Sequence, residues 1–286
     1  MRRAAPAGGA DIRPSRPPVA LTVAGSDSGG GAGIQADIRT FHAFGVFGTC
    51  AVTALTAQDT TGVRAVREAD PEIVASQIRA VLEDLKPAAV KTGMLPSADV
   101  VRRVGHTLRE APSLPLVVDP VVAAASGHRL ATADALDAIR AELLPAATLV
   151  TPNLDEAEAL SGARVRDPDG MREAALRIAQ ASGVAVLVKG GHLAGSDVVD
   201  LLYAGGEWLE WRSPRRGGGT YHGTGCTLSA AIAAGLALGR TLEAAVGEAI
   251  EYVRRAIRTA PALGRGSPPL DHWAPAGGMA GGDPAP

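Results

Sequence analysis

A largely parallel β-sheet covered on both faces by helices, an α/β fold, is what this 286-residue sequence predicts. Short apolar runs alternate with stretches of helical spacing, and the runs end in Gly, Pro or Asn. No repeat and no long linker interrupts the alternation, which favours one domain.

In chain order, "VALTVAG" reads as a buried strand, and "GIQADIRTFHAFG" as a helix closed by Gly45. "GTCAVTALTAQ" is strand-like, and Pro71 opens the helical stretch "PEIVASQIRAVLEDL". "AAVKTG", "LPLVVDP", "ATLVTPN" and "VAVLVKGG" have the length and composition of strands. Between them "ADVVRRVGHTLRE", "TADALDAIRAELL" and "GMREAALRIAQAS" have helical spacing. "DVVDLLYAGGEWLEWR" alternates on either side of Gly205-Gly206, the pattern of a hairpin. Two helices, "TLSAAIAAGLALG" and "TLEAAVGEAIEYVRRAIRTA", complete the domain.

The domain is expected to span residues 19–262. Residues 1–18 and 263–286, dominated by Pro, Gly, Ala and Arg, read as disordered tails, since little periodic apolar content offsets their ordering entropy. The formal net charge of -2 gives no basic surface for nucleic acid or an anionic membrane. No apolar run approaches the roughly 20 residues of a membrane span, and the N-terminal stretch lacks the apolar core of a secretory signal. Two distant cysteines, Cys50 and Cys226, make no disulfide framework. A cytoplasmic enzyme is the expectation.

In parallel sheets ligands collect beyond the carboxyl ends of the strands, where Gly25, Gln58, Lys91, Asp119, Asn153 and Lys189 fall. "AGSDSGGGAGIQAD" carries glycines that let a small ligand approach bare backbone. It contains "GAGIQA", a dinucleotide-type match, but Asp59 is late for the acidic residue of that fingerprint, so a dehydrogenase is the weaker reading. "GK" is absent, which excludes a P-loop. Lys86, Lys91 and Lys189 are the only lysines, and two of them end strands, where a compact charge suits phosphate. A lysine simply leaving the core explains Lys91 equally well.

In "HGTGCTLSAA" a glycine-rich loop enters a helix, whose unpaired N–H groups and dipole make an anion site. Gly223 and Gly225 leave backbone accessible, Thr224 adds a hydroxyl, and the same environment is expected to lower the Cys226 thiol pKa. "TPNLDEAEAL" places Asn153 as helix cap with Glu156 three residues on, a capping box. Glu156 could equally join Asp119 in holding hydrated Mg²⁺, which takes few protein ligands.

"AGSDSGGGAGIQAD", "TALTAQDTTGV", "VKTGML", "DPV", "TPNLDEAEAL", "LVKGGH" and "HGTGCTLSAA", in this order, resemble the hydroxymethylpyrimidine/phosphomethylpyrimidine kinases of the ribokinase-like superfamily. The resemblance implies a three-layer α/β/α sandwich, two successive phosphorylations with ATP and Mg²⁺, and a homodimer. It implies that Gly25, Ala32, Asp37, Thr56, Gln58 and Met94 surround the pyrimidine. Cys226 would be the catalytic base, with Gly223, Thr224 and Gly225 as the anion hole. Lys189, Asn153 and His222 are expected on the nucleotide side, and Asp119 and Glu156 at the metal. Gln58 suits an aminopyrimidine, whose amino group and ring nitrogen match a carboxamide. The alternatives are a pyridoxine or pyridoxal kinase on the same fold, by itself or as a dual activity, and a non-catalytic pyrimidine sensor.

Overall fold

The computed structural model describes residues 16–276, apart from 112–113, 125–126, 192, 194 and 216–218. The chain forms β1 (Val19–Asp27), α1 (Gly33–Ala43), β2 (Phe47–Asp59), β3 (Gly62–Glu68), α2 (Pro71–Asp84) and β4 (Ala89–Thr92). Then come α3 (Ala98–Arg109), β5 (Leu116–Val118), α4 (Ala133–Ala138), β6 (Leu149–Val150), α5 (Leu154–Ser161) and α6 (Pro168–Ser182). The hairpin-bearing end follows: β7 (Ala185–Val188), β8 (Asp197–Ala204), β9 (Glu207–Pro214), α7 (Thr224–Ala237) and α8 (Leu242–Arg258).

The strands form one sheet in the order β3-β2-β1-β4-β5-β6-β7-β8-β9. The six from β2 to β7 are mutually parallel, while β3, β8 and β9 extend the two edges through antiparallel pairs. From β1 the chain order runs outward in opposite directions, through β2 on one side and β4 on the other. This reversal opens a crevice beyond the carboxyl ends of β1 and β4, where α/β sheets bind ligands. Every residue of β4 and β5 is buried, as strands covered on both faces require.

Alternate strand residues feed two cores. Leu21, Val23, Val90 and Val118 pack under Ile78 of α2, Val104 of α3 and Met171 of α6. Ala20, Ala89, Val117 and Leu149 pack under Phe41 of α1, Ile232 of α7 and Tyr252 of α8. Helix α7 is buried over most of its circumference. Its alanines and glycines are what let neighbours approach from every side.

The hairpin turns at Gly205 and Gly206, both at positive φ (59° and 91°), as a two-residue type I′ turn requires. Two features depart from the sequence reading. Strand β3, an edge strand with mostly exposed side chains, carries too little apolar alternation to announce itself. The C-terminal segment also continues as packed chain past 262, to Ala276, where a disordered tail was expected. Leu270 is 1% exposed within the α7–α8 core. Asp271 N–H donates to Ala256 O (3.1 Å), and Ser267 N–H to Thr60 O (2.9 Å). One apolar anchor plus backbone pairing to a ready-made surface orders this strap, and periodicity does not register such an anchor. The tail residues 1–15 and 277–286 lie outside the described residues.

Candidate active site

At the end of β1 the chain winds around one carboxylate. Asp27 Oδ1 accepts from Gly29 N–H (2.8 Å), and Oδ2 accepts from Gly31 and Ala32 N–H (3.0 and 2.9 Å). Burial alone would raise the Asp27 pKa, but its hydrogen bond to His222 and those backbone donors hold it below the usual carboxylate range. Sequence reasoning saw the glycines and missed the aspartate, although Asp ahead of glycines is a turn-forming pattern.

The starts of α1 and α7 meet beside this loop. Gly33 and Gly223 adopt φ of +56° and +85°, and a side chain on either would run into the carbonyl of Gly25 or Gly31. Only glycine permits this approach. Cys226, half-buried in the first turn of α7, lies near the Gly33 amide, which favours its thiolate. Across the crevice Met94 Sδ lies 2.8 Å from where a Cβ on Gly25 would stand. Gly25, Ala32, Met94, Gly223 and Cys226 are thus gathered into one neighbourhood. Thr56 and Gln58 close its β2 side, with the Thr56 hydroxyl donating to Ser26 O (3.0 Å). A register shift between Ala57 and Gln58 turns the strand end there.

The other half of the crevice holds the charges. Lys189 Nζ lies 2.9 Å from Asp119 Oδ1 and 4.0 Å from Glu156 Oε2, and it is 3.3 Å from the Cβ position of Gly225. The lysine is 15% exposed and Asp119 1%. Ser229 Oγ donates to Asp119 Oδ2 (3.1 Å). Burial pushes Glu156 up to about 7, Lys189 opposing and Asp119 reinforcing it. Burial also works on Asp119, but the charges of Lys189 and Lys91 outweigh it and hold that carboxyl low. Asn153 and Glu156 form the capping box, each accepting from the other's backbone N–H (2.9 and 2.8 Å), so the Asn153 side-chain oxygen is engaged within its own helix. Thr224 Oγ1 donates to Tyr221 O (3.3 Å).

Four expectations change. Burial pushes the Cys226 thiol up to about 11 rather than down; Lys91 and the Gly33 amide oppose this, while Asp37 and Asp119 add to it. Desolvation of the thiolate is the largest contribution here, and Lys91 does not offset it. Asp37, expected against the pyrimidine, is fully buried and takes Lys91 Nζ on both oxygens (2.8 and 2.7 Å) and Thr22 Oγ1 (2.6 Å). Lys91 is therefore sealed behind the crevice rather than offered to phosphate. His222, expected on the nucleotide side, instead reaches Asp27 Oδ2 (2.8 Å) and the Gln58 amide (3.0 Å) in the glycine-loop half.

A sheet crevice lined by two glycine-opened helix starts, with a lysine at one of them and no P-loop, defines a small-molecule phosphotransferase site. A family model described as phosphomethylpyrimidine kinase matches residues 27–271, and the chain belongs to the hydroxymethylpyrimidine/phosphomethylpyrimidine kinase family. It is 49% identical to the Streptomyces coelicolor hydroxymethylpyrimidine/phosphomethylpyrimidine kinase over 264 residues, 91% of this chain and 97% of that protein. Among solved structures, phosphomethylpyrimidine kinase from Clostridium difficile superposes with a TM-score of 0.74 at 41% identity, covering 84% of this chain and 99% of that one. Staphylococcus aureus pyridoxal kinase, in complex with AMP-PCP and pyridoxal, gives a TM-score of 0.83 at 33% identity over 90% of this chain and 94% of that one. The fold is that of these ribokinase-like enzymes. No described helix is long and apolar enough to cross a membrane.

Proposed function

We propose that the chain transfers the γ-phosphoryl group of ATP to the hydroxymethyl oxygen of 4-amino-5-hydroxymethyl-2-methylpyrimidine. It then phosphorylates that monophosphate to the pyrophosphate, for thiamine assembly. The observation that carries this reading is the junction of the two helix starts. There Cys226 faces the glycine-loop half of the crevice, and Gly225 faces Lys189.

The pyrimidine occupies the side formed by Gly25, Ala32, Thr56, Gln58 and Met94. The γ-phosphate lies on the amides of residues 223–226, whose N–H groups and dipole favour an anion. Lys189 adds a positive charge where the phosphoryl group passes, and positioning plus charge stabilisation carry most of a loose phosphoryl transfer. Mg²⁺ fits the donor set, two hard carboxylates already engaged by Lys189, Ser229 and the cap. Asp119 and Glu156 would hold it through its waters, and it would neutralise charge on the phosphates. Asp37 supports the site from behind through Lys91. His222 orders the pyrimidine side, and Asn153 keeps Glu156 in place.

Cys226 accepts the alcohol's proton in the first transfer. With the thiol near 11, the thiolate is a small fraction at neutral pH, so this step draws on the alkaline side of its titration. The second transfer needs no base, because its nucleophile is a phosphate oxygen already anionic. Cys226→Ala should therefore slow the first phosphorylation much more than the second.

The antiparallel arm of β2 and β3 exposes Leu55 on one face and Val66 on the other, and these apolar side chains support pairing of two copies into a homodimer. The cytoplasm, where ATP and free thiols coexist, suits the enzyme. The deciding experiment is an ATP-dependent assay offering hydroxymethylpyrimidine and pyridoxal side by side, with mono- and diphosphate products resolved. Diphosphate from the pyrimidine alone supports the reading. Efficient turnover of pyridoxal with none of the pyrimidine replaces it by the pyridoxal-kinase alternative.

A further inference from the structure

We infer that His222 is a positioning residue for substrate recognition: its Nε2–H, given to Asp27, fixes which way round the Gln58 amide lies. The inference rests on the reading that Gln58 meets the aminopyrimidine edge.

Asp27 Oδ2 already accepts two backbone N–H groups, and its side chain is 3% exposed. A carboxylate in that state only accepts, so His222 Nε2 at 2.8 Å must carry a proton toward it. A bare Nε2 would set two lone pairs against each other. The imidazole is held in place, its backbone N–H donating to Pro268 O (3.0 Å) and its ring packed against Gly31.

The order of the two ends of the Gln58 amide follows from these neighbours. As placed, Gln58 Nε2 lies 3.0 Å from His222 Nε2 and Oε1 lies 3.3 Å from Thr56 Oγ1, an order that the proton positions reverse. Nε2–H is a donor, so an NH₂ facing it would oppose donor to donor. The Thr56 hydroxyl gives its single proton to Ser26 O (3.0 Å), which leaves it only lone pairs to offer. Both contacts are satisfied when the amide oxygen faces His222, sharing the Nε2 proton with Asp27, and the NH₂ faces Thr56. Oxygen and nitrogen exchange places by a half-turn of the amide plane with no other movement.

One lone pair and one N–H of Gln58 then remain, in a fixed order. A substrate edge carrying an amino donor beside a ring-nitrogen acceptor can meet them in one direction only. The side chain at 222 therefore selects both the edge and its direction, without touching the substrate.

The test compares kcat/KM at saturating ATP for hydroxymethylpyrimidine and for its analogue lacking the 4-amino group. The proteins are the full-length enzyme and the variants Q58L, H222L and H222Q. H222L should lower kcat/KM for the amino substrate by roughly 10- to 100-fold, the worth of one unsatisfied buried hydrogen bond, chiefly through KM. The analogue should lose under about threefold, since it never used the pair. H222Q keeps a donor near the Nε2 position and should recover most of the preference. Equal losses for both substrates, or H222Q matching H222L, would overturn the inference. If Q58L collapses the preference and H222L does not, the inference fails while the substrate reading stands. If Q58L leaves the preference intact, Gln58 does not read that edge and both fall. Nitrogen-15 NMR of the unmodified protein gives a readout that does not depend on folding of the variants: Nε2 of His222 must be protonated, and an unprotonated Nε2 overturns the assignment.

Discussion

Lys91 and Lys189 end two parallel strands with nearly the same local sequence, "AVKTG" and "LVKGG", yet the chain puts them to opposite uses. Lys91 has no exposed surface and is locked on both oxygens of Asp37. Burial works to lower its pKa, and the Asp37 carboxylate more than offsets that, holding the ammonium charged. Lys189 meets Asp119 on one side, keeps 15% of its side chain exposed and stands beside the first turn of α7. The difference comes from which element covers each strand end. α1 carries Asp37 over Lys91 and takes up its charge on both oxygens, whereas Lys189 shares one oxygen of Asp119, lies 4.0 Å from Glu156 of α5 and faces the glycine-rich start of α7. Under the proposed function, Lys189 serves phosphate because its partner takes one side of the ammonium and leaves the other toward the first turn of α7, whereas both oxygens of Asp37 enclose Lys91.

Removing each charge separates these uses, and the largest effect is expected at Lys91. Lys91→Met strands the buried Asp37 carboxylate and should cost about 3–5 kcal/mol of stability. That is a fall of roughly 10 °C or more in Tm by calorimetry. The double variant Asp37→Leu/Lys91→Met should recover most of the loss, because no unpaired charge remains. A single variant melting within about 2 °C of the parent would show that the pair is not structural.

At Lys189 the loss should fall on catalysis. Lys189→Met should reduce kcat/KM about 10²–10³-fold, the scale for removing one preorganised charge contact to a transition state. Its Tm should drop less than that of Lys91→Met, since the buried Asp119 keeps the hydroxyls of Ser229 (3.1 Å) and Thr151 (3.3 Å) and the charge of Lys91. Steady-state kinetics beside calorimetry decides this. If both variants lose activity in proportion to stability, the two lysines are equivalent and the comparison collapses.

Cys226 lies within the electrostatic reach of Lys91, and this predicts a pH dependence. Because burial holds the thiol near 11, the thiolate fraction rises about tenfold per pH unit below that value. The rate of the first phosphorylation should climb between pH 7 and 9 with a slope approaching one on a logarithmic scale. The second should stay flat, and Cys226→Ala should remove the slope. A plateau beginning near pH 7 would place the thiol pKa where the helix start alone would put it.

Local pattern made much of this legible. The capping box of Asn153 and Glu156, the Gly205-Gly206 turn and the glycine-flanked start of α7 each depend on residues a few positions apart. What sequence could not show depends on distant partners. Asp37 and Lys91 are 54 residues apart, and His222 and Asp27 are 195 apart. Nothing in "GIQAD" says that its aspartate turns inward to a lysine three strands on, and nothing in "YHGTG" says that the histidine faces the glycine loop. The thiol pKa failed for a related reason. Helix geometry is local, but the desolvation that outweighs it is set by the whole fold around Cys226.

The strap over α7 supplies the smallest and most specific prediction. His272 is 7% exposed, and its Nε2 lies 3.0 Å from Thr227 Oγ1, in the turn that also carries Cys226. Burial, then the nearby Arg39, pushes its pKa down to about 4. The unfolded chain, titrating near 6.5, binds this proton before the folded chain does, so stability falls as pH drops from about 6.5 toward 4. Between pH 7 and 6 the loss from this one group is about 0.7 kcal/mol, and it steepens below. His272→Asn keeps a hydrogen-bonding group toward Thr227 without a titrating ring and should flatten that part of the stability profile, measured by urea unfolding at successive pH values. If the strap steadies the α7 start opposite Lys189, the parent enzyme's kcat should decline together with its stability over this range, and that of the asparagine variant should not. An unchanged profile would mean that the strap opens before the rest of the fold, leaving α7 to hold its first turn unaided.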